Sequence, residues 1–167
     1  INLDLMYSLP GQSLASWTAT LHSLLALDPT HISCYALTIE DHTKLAQDIA
    51  KGLIPAPDEA LQVEMEEAAE TVLIQAGFTR YEISNYAKPG YACRHNLLYW
   101  TDGDYLGLGP SAQSYVAGCR FGNIANLDAY AGQLQNAHLP VTDRRMLTNE
   151  EQQRDALIFG LRLLKGV

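Results

Sequence analysis

The sequence is poor in positive charge and has no long apolar run, and both shortages argue against classes of partner. Its 11 lysines and arginines stand against 19 aspartates and glutamates, so the net charge is -8. A chain with this balance has no general attraction to phosphate backbones or anionic lipid. We therefore expect no nucleic-acid partner, and nothing indicates membrane contact. No apolar run approaches the roughly 20 residues that span a bilayer.

Cysteine is also scarce, with Cys34, Cys93 and Cys119 far apart in the chain. An odd number of distant cysteines fits a reducing compartment better than a disulfide framework, so we expect a cytoplasmic protein. No pair of them has the spacing of metal ligands. The chain opens on a strand pattern at Ile1 rather than on Met, so we expect an excerpt from a longer protein.

The composition that is present, 47% hydrophobic and 18% charged, predicts a packed globular core. Residues 1–7 form a nearly continuous apolar run with one charge, which predicts a parallel strand buried on both faces. A helix is predicted from Ser13, its N-cap, to about Leu27, and a second strand over residues 32–37. This βαβ unit predicts an α/β fold with parallel strands, whose ligands would gather after Asp4 and after Leu37, a zone that includes residues 38–40.

Later segments predict more helices, over residues 43–52 and about 61–76, with Gly77 as a stop, and over residues 126–136. Thr148 and Glu151 form a capping-box pattern that begins a final helix. Residues 84–123 contain six of the twelve glycines and alternate short strand-like runs with turns. That segment is the richest in candidate functional residues.

Asp4 is the first candidate, because a carboxylate inside a buried strand is costly unless it is paired. It is either a structural hydrogen-bonding group or a ligand contact at the carboxyl end of the strand. The second candidate is the run CRHNLLYW at residues 93–100. This run is either a site for a flat aromatic ligand, with His95 as a metal ligand or proton-transfer group, or a buried hydrogen-bonded histidine beside an aromatic cluster.

Other catalytic patterns are missing. The four remaining histidines are isolated, and we interpret them as ordinary surface or packing residues. The glycines of residues 107–114 do not have the G-x-G-x-x-G spacing, and the chain has no Walker loop, G-x-S-x-G elbow or HExxH helix. A Rossmann fold is therefore excluded.

Four segments of the sequence have the residues and the order of motifs in one known family. They are NLDLMYSLPGQ at residues 2–12, YEISNYAKPG at 81–90, HNLLYW at 95–100 and DYLGLG at 104–109. Together they resemble the oxygen-independent coproporphyrinogen III oxidase family of radical SAM proteins. The H-N-x-x-Y-W hexad, residues 95–100, resembles the signature of the HemW-type heme chaperones within that family. One departure is Ser8, where the family usually has glycine.

The resemblance implies that residues 1–77 are the last βα units of a partial (βα)6 barrel, with residues 1–7 and 32–37 as its fifth and sixth strands. Residues 78–167 would be a family-specific mixed α/β region that stops before any further C-terminal domain. The CxxxCxxC motif of the 4Fe-4S cluster is not in the sequence, and the three cysteines have the wrong spacing to replace it. We therefore expect the excerpt alone to be inactive.

The resemblance also implies site residues. Asp4, Thr38 and Gln113 fall by position where the family touches S-adenosyl-L-methionine (SAM), which strengthens the functional interpretation of Asp4.

At the hexad, the resemblance implies a heme site formed by His95, Asn96, Tyr99 and Trp100. His95 is its candidate iron ligand, and Asn96 is placed to orient the imidazole ring by a hydrogen bond.

Two functions follow from the resemblance, besides a fragment with no activity of its own. The first, which the hexad favours, is a chaperone that binds heme and delivers it to heme-accepting proteins. The second is a radical SAM enzyme that decarboxylates coproporphyrinogen propionates in porphyrin biosynthesis. Unpaired strand edges invite association, so we also expect a homodimer formed through residues 1–7.

Overall fold

The computed structural model describes residues 1–166 and divides the chain into two compact units, a first unit from Ile1 to Cys93 and a second unit from Arg94 onward. The division falls after residue 93 because a hairpin within residues 79–87 joins the sheet of the first unit. The predicted end of the barrel part at residue 77 stays a prediction. No helix within residues 1–166 is long and apolar enough to cross a membrane.

The first unit is a four-stranded sheet with three helices. Its elements are β1 (Asn2–Tyr7), α1 (Leu14–Leu25), β2 (His31–Ala36), α2 (Lys44–Ala50), α3 (Glu59–Gln75), β3 (Thr79–Glu82) and β4 (Asn85–Ala87). The strand order is β1-β2-β4-β3. β1 and β2 are parallel, in register from Asn2 opposite His31 to Tyr7 opposite Ala36, which confirms the predicted βαβ unit. β4 pairs antiparallel with both β2 and β3.

The helix ends follow the predicted signals. Ser13 caps α1 through a capping box with Ser16, and Thr43 caps α2. Gly77 follows the C-cap Ala76 of α3 with a φ of +85°, and the Phe78 N–H donates to the Leu73 carbonyl at 3.0 Å. This is the Schellman arrangement, which satisfies carbonyls that the end of a helix leaves unpaired.

The core of the first unit lies on one face of the sheet, where α1 and α3 pack. Its largest fully buried apolar side chains are Trp17, Leu21, Ile32, Met65 and Leu73. The Trp17 Nε1–H donates to the Met65 carbonyl at 2.8 Å, which satisfies the buried indole.

The opposite face of this sheet is polar, so the prediction that residues 1–7 form a strand buried on both faces is wrong. β1 alternates between exposed and half-buried residues instead of being buried on both faces. Within the first unit β1 is an edge strand, and the core helices cover only the face that carries Leu3, Leu5 and Tyr7. Alternate side chains therefore point away from the core, and Asp4 is exposed.

The second unit contains a three-stranded antiparallel sheet in the order β5-β6-β7. Its elements are α4 (Arg94–Trp100), β5 (Gln113–Val116), β6 (Cys119–Asn123), α5 (Leu127–Gln135), β7 (Val141–Met146) and α6 (Asn149–Gly160). Asn126 caps α5, and Thr148 and Glu151 form the predicted capping box of α6. Arg120 of β6 pairs with Asp155 of α6 at 3.0 Å, which joins the sheet to that helix.

Candidate functional site

Asp4 lies in the middle of β1, opposite Ser33 of β2. Its Oδ1 accepts a hydrogen bond from Asn2 Nδ2 at 2.7 Å. The side chain is exposed on the polar face, so the premise that a buried charge needs compensation is wrong for this residue. An exposed carboxylate on a polar sheet face can accept hydrogen bonds from the hydroxyls of a ribose.

Thr38 is exposed and follows β2 by two residues. The Leu37 N–H donates to the Tyr7 carbonyl at 2.9 Å, so the strand pairing continues to the carboxyl ends of β1 and β2. Thr38 is therefore beyond the strand ends, whereas Asp4 is three residues before the end of β1. Asp4 and Thr38, two of the three predicted SAM contacts, therefore belong to neighbouring parts of the sheet, one within β1 and the other after β2, but not at the same level.

A hydrogen-bonded network runs beside Asp4 on the polar face. The His31 ring is buried, with Nδ1 at 2.6 Å from Asn2 Oδ1 and Nε2 at 2.8 Å from Tyr81 Oη. The Cys93 N–H donates to the same Tyr81 oxygen at 3.3 Å. Burial lowers the pKa of His31 below its ordinary value of 6.5, so the ring is neutral at pH 7.

Gln113 is the first residue of β5 and belongs to the second unit. It is exposed, and its Nε2 donates to the Ser111 carbonyl at 3.3 Å. Its carboxamide therefore has a further N–H and a carbonyl oxygen to offer a ligand.

The predicted hexad lies on α4, a seven-residue helix. His95 and Tyr99 are four residues apart and share a helix face, with Tyr99 Oη at 3.0 Å from His95 Nε2 and the two rings edge to face. His95 is exposed, so the interpretation as a buried histidine is wrong. Tyr99 thus contacts the His95 ring here, and the orienting role of Asn96 stays a prediction.

Further aromatic rings of the second unit adjoin Tyr99. Tyr105 packs edge to face on Tyr99 with ring centroids 4.5 Å apart, and Tyr115 follows at 6.4 Å from Tyr105. Burial is the main cause that raises the pKa of both Tyr105 and Tyr115, which keeps the two phenols protonated.

A cavity of about 340 Å³ opens beside these rings. Trp100, Phe159 and Arg120 line it together with Tyr99, Asp102, Gly103, Tyr105 and Tyr115. The Arg162 guanidinium stacks on the Trp100 ring at 4.4 Å from its centroid. Flat apolar walls with arginines nearby suit a planar ligand that carries carboxylates.

The residues present fit the two groups that the sequence resemblance implies. The imidazole of His95 is accessible and lies beside aromatic walls, as a heme ligand requires. The carboxylate of Asp4 suits the ribose of SAM. The 4Fe-4S cluster finds no matching ligands, since Cys34 and Cys119 are buried and stand apart from Cys93 in the sequence.

The chain is similar in sequence to known proteins over its whole length. No protein-family model matches the chain. The chain is 39% identical to a protein named heme chaperone HemW from Synechocystis, over 99% of the chain and 41% of the relative. It is 35% identical to the protein of that name from Bacillus subtilis, over 100% of the chain and 44% of the relative. The chain thus spans about two-fifths of the length of these relatives.

Two further likenesses concern the radical SAM class. A mouse protein named radical S-adenosyl methionine domain-containing protein 1, mitochondrial, is 44% identical over 67% of the chain and 25% of its own length. The structure of coproporphyrinogen III oxidase HemN from Escherichia coli, described as a radical SAM enzyme, matches 97% of the chain and 40% of that protein. The TM-score is 0.79 at 22% identity, so this likeness shows the fold.

The fold is therefore that of a coproporphyrinogen oxidase-like radical SAM protein, and the predicted fold class is confirmed. Over its whole length the chain is homologous to the HemW-type proteins, which confirms the resemblance seen in the four motifs.

Sequence reasoning did not reveal the hydrogen-bonded network of His31 and gave Tyr81, Tyr105 and Arg120 no role. Tyr81 and Tyr105 belong to two of the four motifs, at residues 81–90 and 104–109, so the sequence indicates these segments but not the residues that the two tyrosines contact. His31 lies opposite Asn2, a pairing that depends on the register of β1 against β2. The βαβ pattern predicts the neighbouring strands but not their register.

Proposed function

We propose that the protein of which this chain spans part is a chaperone that binds heme and delivers it to heme-accepting proteins. The observation that carries the proposal is the hexad helix, which sets an accessible imidazole and an aromatic wall on adjoining turns. The names of the HemW-type relatives support the proposal. In this site His95 would be the iron ligand, Tyr99 and Trp100 would contact the macrocycle, and Asn96 would support the His95 ring.

The cations of the second unit complete the site. Heme carries two propionates, and Arg162 and Arg120 present guanidinium groups beside the aromatic residues. Arg120 pairs with Asp155 at 3.0 Å and lines the cavity, and Arg162 stacks on Trp100, so both guanidinium groups are candidates for the propionates. Tyr99 Oη holds His95 Nε2, and this bond must open if Nε2 is the nitrogen that binds iron.

The radical SAM part of the proposal concerns SAM and a 4Fe-4S cluster. When both are bound, the reduced cluster would supply the electron that cleaves SAM, and the cleavage would yield a radical able to abstract a hydrogen atom. Asp4 would accept from the ribose, and Thr38 and Gln113 would contribute polar contacts. The cluster would be held by cysteines outside these 167 residues. A cytoplasmic location of the protein also belongs to the proposal, as does a homodimer of the 167-residue chain through the free edge of β1.

Decarboxylation of coproporphyrinogen is the second candidate function, because the chain shares its fold with HemN. The full-length protein should be tested in two assays, heme titration followed in the Soret band and consumption of coproporphyrinogen. We expect heme binding without coproporphyrinogen consumption. Consumption of coproporphyrinogen in the absence of stable heme binding would favour the second function and contradict the first.

His95→Ala tests the site itself. We expect weaker heme binding and a shifted Soret band, because the imidazole ligand is lost. His138→Ala is the matched control, since His138 is an exposed histidine of the same unit outside the hexad. If His95→Ala lowers the free energy of unfolding and leaves the heme spectrum unchanged, the heme-site assignment is wrong.

A further inference from the structure

The hydrogen bonds on the polar face of the first unit link Asp4 to three other side chains. They are Asn2 on the same strand, His31 on β2 and Tyr81 on β3. Neither the core nor the strand ladder accounts for this network, because its members contact one another through side-chain atoms. The network ends at the carboxylate of Asp4, which is the proposed SAM contact.

The chemistry of the groups fixes the direction of every hydrogen bond. An ionised carboxylate only accepts, so Asn2 must present its Nδ2–H to Asp4 and its carbonyl oxygen to His31. His31 therefore carries its proton on Nδ1, and the neutral ring accepts at Nε2. Tyr81 then donates its hydroxyl proton to Nε2 and accepts from the Cys93 N–H. Each donor points along the network towards Asp4.

This directionality has a consequence for Asp4. Asn2 engages Oδ1, and within residues 1–166 the other oxygen, Oδ2, has no hydrogen-bond partner. Asn2 and Asp4 are exposed, so without the buried His31 ring the Asn2 amide would be free to turn. Ser33 Oγ also donates to Asn2 Oδ1, but at 3.4 Å this is the weaker of the two bonds to that oxygen.

We propose that Asn2, His31 and Tyr81 are positioning residues, which hold the Asp4 carboxylate with one oxygen engaged and the other presented to the ribose hydroxyls of SAM. This inference rests on the SAM contact of Asp4 in the proposed function. It adds that the affinity for the ribose depends on a buried histidine that does not touch the ligand.

The test uses the full-length protein and a pair of ligands, S-adenosylhomocysteine and its analogue without the two ribose hydroxyls. It compares His31→Leu with His31→Asn, two side chains of the same shape. The asparagine amide can replace the Nδ1–H that donates to Asn2, and leucine cannot. Equilibrium binding is measured for each protein, and iron–sulfur absorbance together with urea unfolding checks its integrity.

We expect His31→Leu to weaken S-adenosylhomocysteine binding by about 3- to 10-fold and to leave the analogue unaffected, as for coupled neighbouring groups. His31→Asn should restore most of the affinity. Asp4→Ala should cause a larger loss, and His31→Leu should add nothing to it in the double variant. Tyr81→Phe, which keeps the ring, provides a second variant of the network should His31→Leu fail to fold.

The outcomes distinguish two claims, the contact of Asp4 with SAM and the positioning role of Asn2, His31 and Tyr81. If Asp4→Ala weakens only the ligand with hydroxyls while His31→Leu and Tyr81→Phe bind like the unaltered protein, the positioning role is wrong and the SAM contact stands. If the histidine variants weaken both ligands equally, their role is structural and the inference is overturned. If Asp4→Ala does not distinguish the ligands, the SAM contact fails and the inference fails with it.

Discussion

Ser8 occupies a backbone position that favours glycine. Its φ is +61°, and only 5% of its surface is exposed, in the turn that follows β1. The left-handed region costs a residue with a Cβ roughly 1–2 kcal/mol. The Gln12 N–H donates to the Leu9 carbonyl at 2.9 Å in the same turn, so the chain has little freedom to avoid this conformation. The departure from the motif glycine is therefore a small local strain.

Ser8→Gly should raise the free energy of unfolding by up to about 1 kcal/mol, because the relief of strain exceeds the added entropy of the unfolded chain. Urea unfolding measures the change. Ser23→Gly, at an exposed position within α1, should lower the free energy of unfolding by about 0.5–1 kcal/mol and serves as the control. A loss of stability in Ser8→Gly would show that the serine side chain has a role that outweighs its φ.

At the scale of helices and strands, the sequence predicts the features that neighbouring residues determine, such as the start of a helix. The caps Ser13, Thr43, Asn126 and Thr148 begin four helices where their side chains accept from the first turn. β4 has only three residues, and its pairing with β2 joins segments about fifty residues apart, so no local pattern reveals it. The same holds for the exposure of Asp4, which depends on what covers a sheet face and not on the apolar pattern of its strand.

The end of α3 offers a prediction at this scale. Gly77→Ala should lower the free energy of unfolding by roughly 1–2 kcal/mol, because alanine is strained at a φ of +85°. A Cβ at this position meets no atom within 4 Å, so the cost comes from the backbone alone. Gly77→Asn is the control and should cost less, since asparagine tolerates the left-handed region. Equal losses in the two variants by urea unfolding would contradict this explanation.

At the scale of the whole molecule, the free edge of β1 is the feature with the clearest consequence. The Ile1 carbonyl accepts from the His31 N–H of β2, and the Tyr7 carbonyl accepts from Leu37, the residue after β2. The odd-numbered residues of β1 therefore direct their backbone groups to the neighbouring strand. Asn2, Asp4 and Met6 consequently direct their N–H and C=O groups to the edge, which has no neighbouring strand within the first unit. Such an edge is a template for pairing with another chain.

We therefore expect the 167-residue chain to form dimers through β1, with a dimer fraction that rises with concentration in light scattering. Met6→Pro should yield monomers, because proline removes an N–H at the free edge and leaves the ladder between β1 and β2 intact. Leu5→Pro is the control that removes a donor facing β2, so it should destabilise the sheet and lower the free energy of unfolding. A chain that stays monomeric at every concentration, or dimers that persist in a folded Met6→Pro variant, would show that β1 is not the interface.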